Sequence, residues 1–125
     1  MTQFFHNPSI LIVDDERDIC YLLSNILKQK SIQSVFATSL SEANDIMENE
    51  SGFSFIFLDN NLPDGQGLDH IKQIKKKCPQ CKIIMVTAQD DKAARDKASK
   101  EGADFFIGKP FSSELILKTI NSPVT

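Results

Sequence analysis

Ile10-Leu11-Ile12-Val13-Asp14-Asp15 decides the reading of the fold: four consecutive apolar residues run directly into two carboxylates. An apolar run this short and unbroken reads as a strand covered on both faces, and such strands belong to parallel sheets. The pattern recurs. Residues 34–37, 53–58, 82–87 and 103–107 are further short, largely apolar runs. Amphipathic stretches separate them. Ile19, Leu22, Leu23, Ile26 and Leu27 fall on one face of a helix predicted over 16–30, and Leu40, Ala43, Ile46 and Met47 on one over 39–49. Leu68, Ile71 and Ile74 do the same for 68–77. Helices over 91–101 and 112–121 complete the alternation. Ser39 and Glu42 form a candidate capping box, and Gly102 is a natural stop for the fourth helix. Residues 59–67, rich in Asn, Pro, Asp and Gly, read as a loop.

Five strand–helix units imply right-handed crossovers and a parallel sheet. The expected fold is α/β: a flavodoxin-like, doubly wound (βα)5 arrangement with strand order 2-1-3-4-5 and helices on both faces. Residues 1–125 are read as a single domain, without internal repeats or a linker. A ligand site is expected at the carboxyl ends of the strands.

Composition narrows the function classes. A net charge of −3 leaves no basic footprint for nucleic acid or an anionic membrane. The longest apolar run is far short of the roughly 20 residues a spanning helix needs. The first eight residues have neither a basic start nor a long apolar core, so no secretory signal is expected. Cys20, Cys78 and Cys81 are too few, and odd in number, for a disulfide framework, which fits a reducing, cytoplasmic setting. Cys78-Pro79-Gln80-Cys81 sits between a helix and a strand, the wrong place for a thioredoxin-like motif, and no second pair completes a zinc set. The lysines at 72, 75, 76 and 77 read as a solvated helix end. The fourth helix has only Ala93, Ala94 and Ala98 as apolar residues, so it should be held loosely.

The polar residues at the strand ends carry the chemistry. The first strand ends in Asp14-Asp15, the third in Asp59 and the fourth in Thr87-Ala88, while Lys109-Pro110 follows the fifth. A parallel sheet brings all of these to one edge. Carboxylates ~4 Å apart repel by about 4 kcal/mol per pair at an effective dielectric near 20. Lys109 offsets part of this, and a hard divalent cation with oxygen ligands would offset more. A cleft with a cation, an ammonium and a free carboxylate suits a phosphoryl group, and aspartate can act as nucleophile toward one.

Four pieces, in order, closely resemble the response-regulator receiver family across nearly the whole chain: Leu11-Ile12-Val13-Asp14-Asp15-Glu16, Leu58-Asp59-Asn60-Asn61-Leu62-Pro63-Asp64-Gly65-Gln66-Gly67, Ile83-Ile84-Met85-Val86-Thr87-Ala88, and Gly102-Ala103-Asp104-Phe105-Phe106-Ile107-Gly108-Lys109-Pro110-Phe111. The resemblance implies a phosphorylation switch whose phosphoacceptor is Asp59. It implies Mg2+, with Mn2+ able to substitute, ligated by Asp15, by Asp59 and by the backbone carbonyl of Asn61, with Asp14 acting mainly through a water. Lys109 would pair with Asp59 and then with the phosphoryl oxygens. Thr87 would donate its hydroxyl to one of those oxygens, and Phe106 would turn inward as Thr87 moves. Asn61 and Gln89 would tune dephosphorylation, and Lys109-Pro110 would be cis. The switch position is often Tyr, and Phe106 has no hydroxyl to offer a partner. The implied donor is a sensor histidine kinase or histidine phosphotransfer protein. The implied output is a domain or protein bound through the face made by the fourth helix, fifth strand and fifth helix, with a possible homodimer on phosphorylation.

Two other classes compete. A haloacid-dehalogenase-type phosphatase also uses an Asp nucleophile and Mg2+, but it carries a second Asp two residues on, where this chain has Asn61. A flavin carrier on the same fold would want a Ser/Thr/Gly-rich phosphate loop after the first strand, where Asp14-Asp15-Glu16 would repel phosphate.

Overall fold

A computed structural model describes residues 9–121. The readings that fall on residues 1–8, on His6 and on Pro123 lie outside them. Five strands form one parallel sheet: β1 (Ile10–Val13), β2 (Ser34–Ala37), β3 (Phe55–Leu58), β4 (Lys82–Thr87) and β5 (Phe105–Gly108), in spatial order 2-1-3-4-5. The expected doubly wound fold is the one found. Helices α1 (Arg17–Lys28), α2 (Leu40–Asn49), α3 (Ile71–Lys77), α4 (Lys92–Glu101) and α5 (Ser113–Ile120) make the crossovers.

Every residue of β1 is buried, as an unbroken apolar strand requires. Its alternation splits the core in two. Leu11 and Val13 join the cluster with Leu40, Ile71, Ile74 and Ala98, from α2, α3 and α4. Ile10 and Ile12 join the cluster with Leu23, Leu27 and Ile116, from α1 and α5. Each large apolar side chain in these clusters contributes about 1.5–3 kcal/mol by leaving water.

The structure departs from the sequence reading in several places. Leu22 is 46% exposed, and Cys20 takes its place in the buried face of α1. The third helix begins as a 3-10 turn, Gly67–His70, and the expected loop before it contains a minimal hairpin pairing Asn61–Leu62 with Gly65–Gln66. Ser39 caps α2 through the Glu42 N–H, but Glu42 reaches back to the Thr38 N–H. Asp64, from the hairpin, accepts from the N–H groups of Leu40 and Ser41, so three free donors of α2 are satisfied. Cys78 and Cys81 are joined as a disulfide across a tight turn in which the Cys81 N–H donates to the Cys78 carbonyl. Lys75 is not solvated. It is half-buried and donates to Asp104 (2.7 Å) and to the Cys81 carbonyl (2.9 Å). Only Ala94 and Ala98 of α4 are buried, while Ala93 is exposed, so little apolar area holds this helix.

Candidate functional site

Backbone hydrogen bonding carries the sheet one residue past its strand ends, and that fixes the site. The Asp14 N–H donates to Ala37, the Asp59 N–H to Val13 and the Lys109 N–H to Thr87. Three candidate site residues are thus held in sheet register. The chain after Asp59 must then fold back tightly. The Gly67 N–H donates to the Asn60 carbonyl, and a Cβ at Gly67 would collide with the Asp59 carbonyl oxygen, so only glycine fits. The Lys109-Pro110 peptide is cis.

Asp14 and Asp59 are buried, at 2% and 5% exposure. Lys109 places its Nζ 2.8 Å from Asp14, 3.0 Å from Glu16 and 3.4 Å from Asp59. One ammonium therefore serves three carboxylates and sits nearer to two others than to Asp59. Burial pushes Asp59 above the ordinary carboxylate range, and the charge on Asp14 adds to this. Lys109 and the Asn60 N–H offset only part. Burial likewise raises Asp14, against the pull of Lys109 and the Glu16 N–H. For Lys109, burial alone would lower the ammonium. Its bonds to Asp14 and Glu16 and the charge on Asp59 outweigh that and hold it above the ordinary lysine value.

One carboxylate oxygen from each of Asp14, Asp15, Glu16 and Asp59 lies within 4.8 Å of the others. These are hard oxygen donors, and Asp15 and Glu16 are exposed, which leaves room for water ligands. The cluster fits a hard divalent cation.

The remaining expected residues are less gathered. Thr87 is buried at the end of β4, where its hydroxyl oxygen accepts from the Gln89 N–H at 3.2 Å. Gln89 is exposed, but its side-chain carbonyl already accepts from Asn60 at 3.1 Å. Asn61 opens the hairpin with an exposed side chain. Phe106 lies outside the acidic cluster, half-buried on β5 beneath Arg95.

Two residues escaped the sequence reading. Glu16 is the second-nearest partner of Lys109; its only signal was being the third acid in a row. Asn60 is 1% exposed and held at three points: its N–H donates to Asp59 Oδ1 (2.8 Å), its amide donates to Gln89, and its amide oxygen accepts from the Leu68 N–H. An Asn in a turn-rich stretch gives no warning of that role.

Fold and site together define a flavodoxin-like α/β domain with an acidic, cation-compatible cleft at its strand ends. The family model of the response regulator receiver domain matches residues 10–121, and the chain belongs to that family. It is 37% identical over 100 residues to the response regulator protein PilR of Pseudomonas aeruginosa, covering 80% of this chain and 22% of PilR. It is 32% identical over 115 residues to the phosphate regulon transcriptional regulatory protein PhoB of Escherichia coli, covering 90% of this chain and 50% of PhoB. The chain thus spans half or less of these relatives. A crystal structure of a response regulator protein from Burkholderia pseudomallei, with a phosphorylated aspartic acid, calcium ion and citrate, superposes with a TM-score of 0.85 at 27% identity, over 93% of this chain and 68% of that one. The chain is accordingly a response regulator receiver domain of two-component systems, and such domains are phosphoacceptor switches. Such domains interact with histidine kinases and output domains. Among the described residues, no helix is long and apolar enough to cross a membrane.

Proposed function

We propose that Asp59 accepts the phosphoryl group, from a phosphohistidine of a sensor kinase or phosphotransfer protein, in a Mg2+-dependent reaction. One observation carries this reading: Asp59 is a buried carboxylate at the end of a central strand, clustered with three other acids and paired with the Lys109 ammonium. The neighbour that bears a phosphorylated aspartic acid and a calcium ion supports it.

On this reading Asp59 Oδ1 is anchored by the Asn60 N–H, which leaves Oδ2, on the Lys109 side, as the attacking atom. The new bond is Oδ2–P, the histidine N–P bond breaks, and the nitrogen keeps the electron pair. Asp14, Asp15 and Asp59, with the Asn61 carbonyl, would hold Mg2+, with Mn2+ as a substitute; bound there, the ion supplies charge neutralisation and an oxygen site for the phosphoryl group. Lys109 neutralises charge on the transferring oxygens. Thr87 already accepts a hydrogen bond through its oxygen, so its proton is free to go to a phosphoryl oxygen. Asn61 and Gln89 flank the route of a hydrolytic water and set the lifetime. The cytoplasmic setting follows from the donor, and the output surface is the face of α4, β5 and α5, toward an output domain, an output protein or a second copy of the chain.

Acetyl phosphate with Mg2+ provides the test. The intact mass should rise by one phosphoryl group in the wild type and not in Asp59→Asn. Equal labelling of both proteins would refute the assignment.

A further inference from the structure

We propose that Asp90 and Arg95 form a brace that holds Phe106 in place and opposes its movement toward the site. This rests on the reading of Phe106 as the residue that moves when the domain is phosphorylated.

The brace is built from three contacts. The Arg95 guanidinium lies over the Phe106 ring, 4.7 Å from its centroid. Asp90 accepts from Arg95 Nε at 2.5 Å, which aims the guanidinium. Asp90 is itself seated on β5: a Cβ at Gly108 would collide with its carboxylate, so the acid occupies space that only a glycine leaves open. Gly108 pairs in register with Thr87, and Phe106 with Met85. Asp90 therefore rests beside the end of the strand that carries Thr87, and Arg95 links that point to Phe106. A cavity of about 220 Å³ opens beside the ring, lined in part by Arg95, Ala98, Ala103 and Phe106. The ring thus has open volume beside it on the α4 side, with the Arg95 guanidinium over its face.

The positions of these residues indicate the direction of coupling. Asp90 follows Thr87 by three residues with no helix between them, because α4 starts at Lys92. A shift of Thr87 pulls the Asp90 segment, weakens its hold on Arg95, and uncovers the Phe106 face. Arg95 and Asp90 are positioning residues here, and neither touches the phosphoryl site. The Nε bond to Asp90, made while the guanidinium lies over the ring, requires Arg, so Lys is not an equivalent.

The test uses the full chain with a single fluorine on the Phe106 ring, and two readouts. First, without any phosphoryl mimic, the fluorine resonance should shift in Arg95→Ala and in Asp90→Ala. Second, beryllofluoride with Mg2+ should bind about two- to fivefold more tightly to both variants than to wild type, because an exposed cation–ring contact of this size no longer favours the resting state. Arg95→Lys should recover only part of either effect. Lys92→Ala, which removes an exposed pair with Asp96 on the same helix, should change neither. An unchanged resonance and unchanged affinity in Arg95→Ala would overturn the brace. If wild type fails to bind beryllofluoride at all, the phosphoacceptor reading fails, and the fluorine shift alone still decides whether Arg95 and Asp90 hold Phe106.

Discussion

Without metal, Asp59→Asn should make the protein more stable, although it removes an ion-pair partner. The carboxylate of Asp59 lies 3.4 Å from Lys109, an attraction worth about 5 kcal/mol at an effective dielectric of 20. It also lies within 4.8 Å of an oxygen of Asp14, which costs at least about 3.5 kcal/mol at the same dielectric. Asp15 and Glu16 are as close but exposed, so water reduces each to about 1 kcal/mol. Attraction and repulsion thus nearly cancel, and burial of the charge decides the sign. Burial is also the largest reason that the Asp59 carboxyl sits above its ordinary range. A raised acid destabilises the fold as pH rises through its folded-state value, because the native state then ionises a group the unfolded chain ionises more easily. An amide keeps the Asn60 contact without that cost. The expected gain at neutral pH is about 1–2 kcal/mol, the lower part of the range by which neutral replacement of buried ion pairs raises stability, or roughly 4–8 °C in Tm for a chain of this size. Thermal melts in chelator should show it. With Mg2+ at about 100 times its Kd the wild type should gain about 2.7 kcal/mol, and the variant less, so the gap closes or reverses. If Asp59→Asn melts at or below wild type in chelator, the electrostatic account of the site is wrong.

Lys109→Ala leaves buried Asp14 and Asp59 without their cation and should cost about 3 kcal/mol or more in chelator; urea titration should also show that Mg2+ recovers part of the loss. Gly67→Ala forces a Cβ against the Asp59 carbonyl and should cost about 1–3 kcal/mol, with slower acetyl phosphate labelling followed by intact mass. Asp64 is held below the ordinary carboxylate range by the N–H groups of Leu40 and then Ser41. Its contribution is therefore complete above pH 3.8, the ordinary value, and is lost as pH falls through the lower folded-state value. Asp64→Asn should lose up to about 1 kcal/mol at neutral pH, and denaturation curves of the two proteins should converge in acid. Parallel curves at all pH values would show that Asp64 does not cap α2.

The strands were legible because each is a short apolar run whose length and continuity leave little else for it to be. Their parallel arrangement followed from the alternation with helices. The candidate site was legible wherever a candidate residue ends or directly follows a strand: Asp14, Asp59, Thr87 and Lys109 all do. What escaped depends on contacts between residues far apart in the chain. Glu16 meets Lys109 across 93 residues, and Asn60 meets Gln89 across 29. Lys75 resembles its solvated neighbours until Asp104 is placed beside it. The start of α3 was misjudged because Leu68 keeps helical spacing through a 3-10 turn. Asp64 was read only as part of a loop, since nothing local in the sequence says that the hairpin tip reaches the start of α2.

On the function proposed above, the route from site to surface is short, and a change of charge at Asp59 would act at Phe106 without deforming the sheet. Strand β5 carries Phe106, Gly108 and, one residue on, Lys109. Strand β4 ends at Thr87, the register partner of Gly108. The core of both strands is buried apolar packing that resists small continuous shifts. The parts free to rearrange are the tips: the Lys109 ammonium divided among three acids, the Gln89–Asn60 amide pair, and the Asp90–Arg95 ion pair. Each is an exchangeable polar contact with an alternative partner or water close by. On that reading a phosphoryl group at Asp59 would give Lys109 and Thr87 stronger oxygens to bind than those they now hold. What would move is then a sequence of side-chain exchanges along one sheet edge, ending at α4, where only Ala94 and Ala98 are buried.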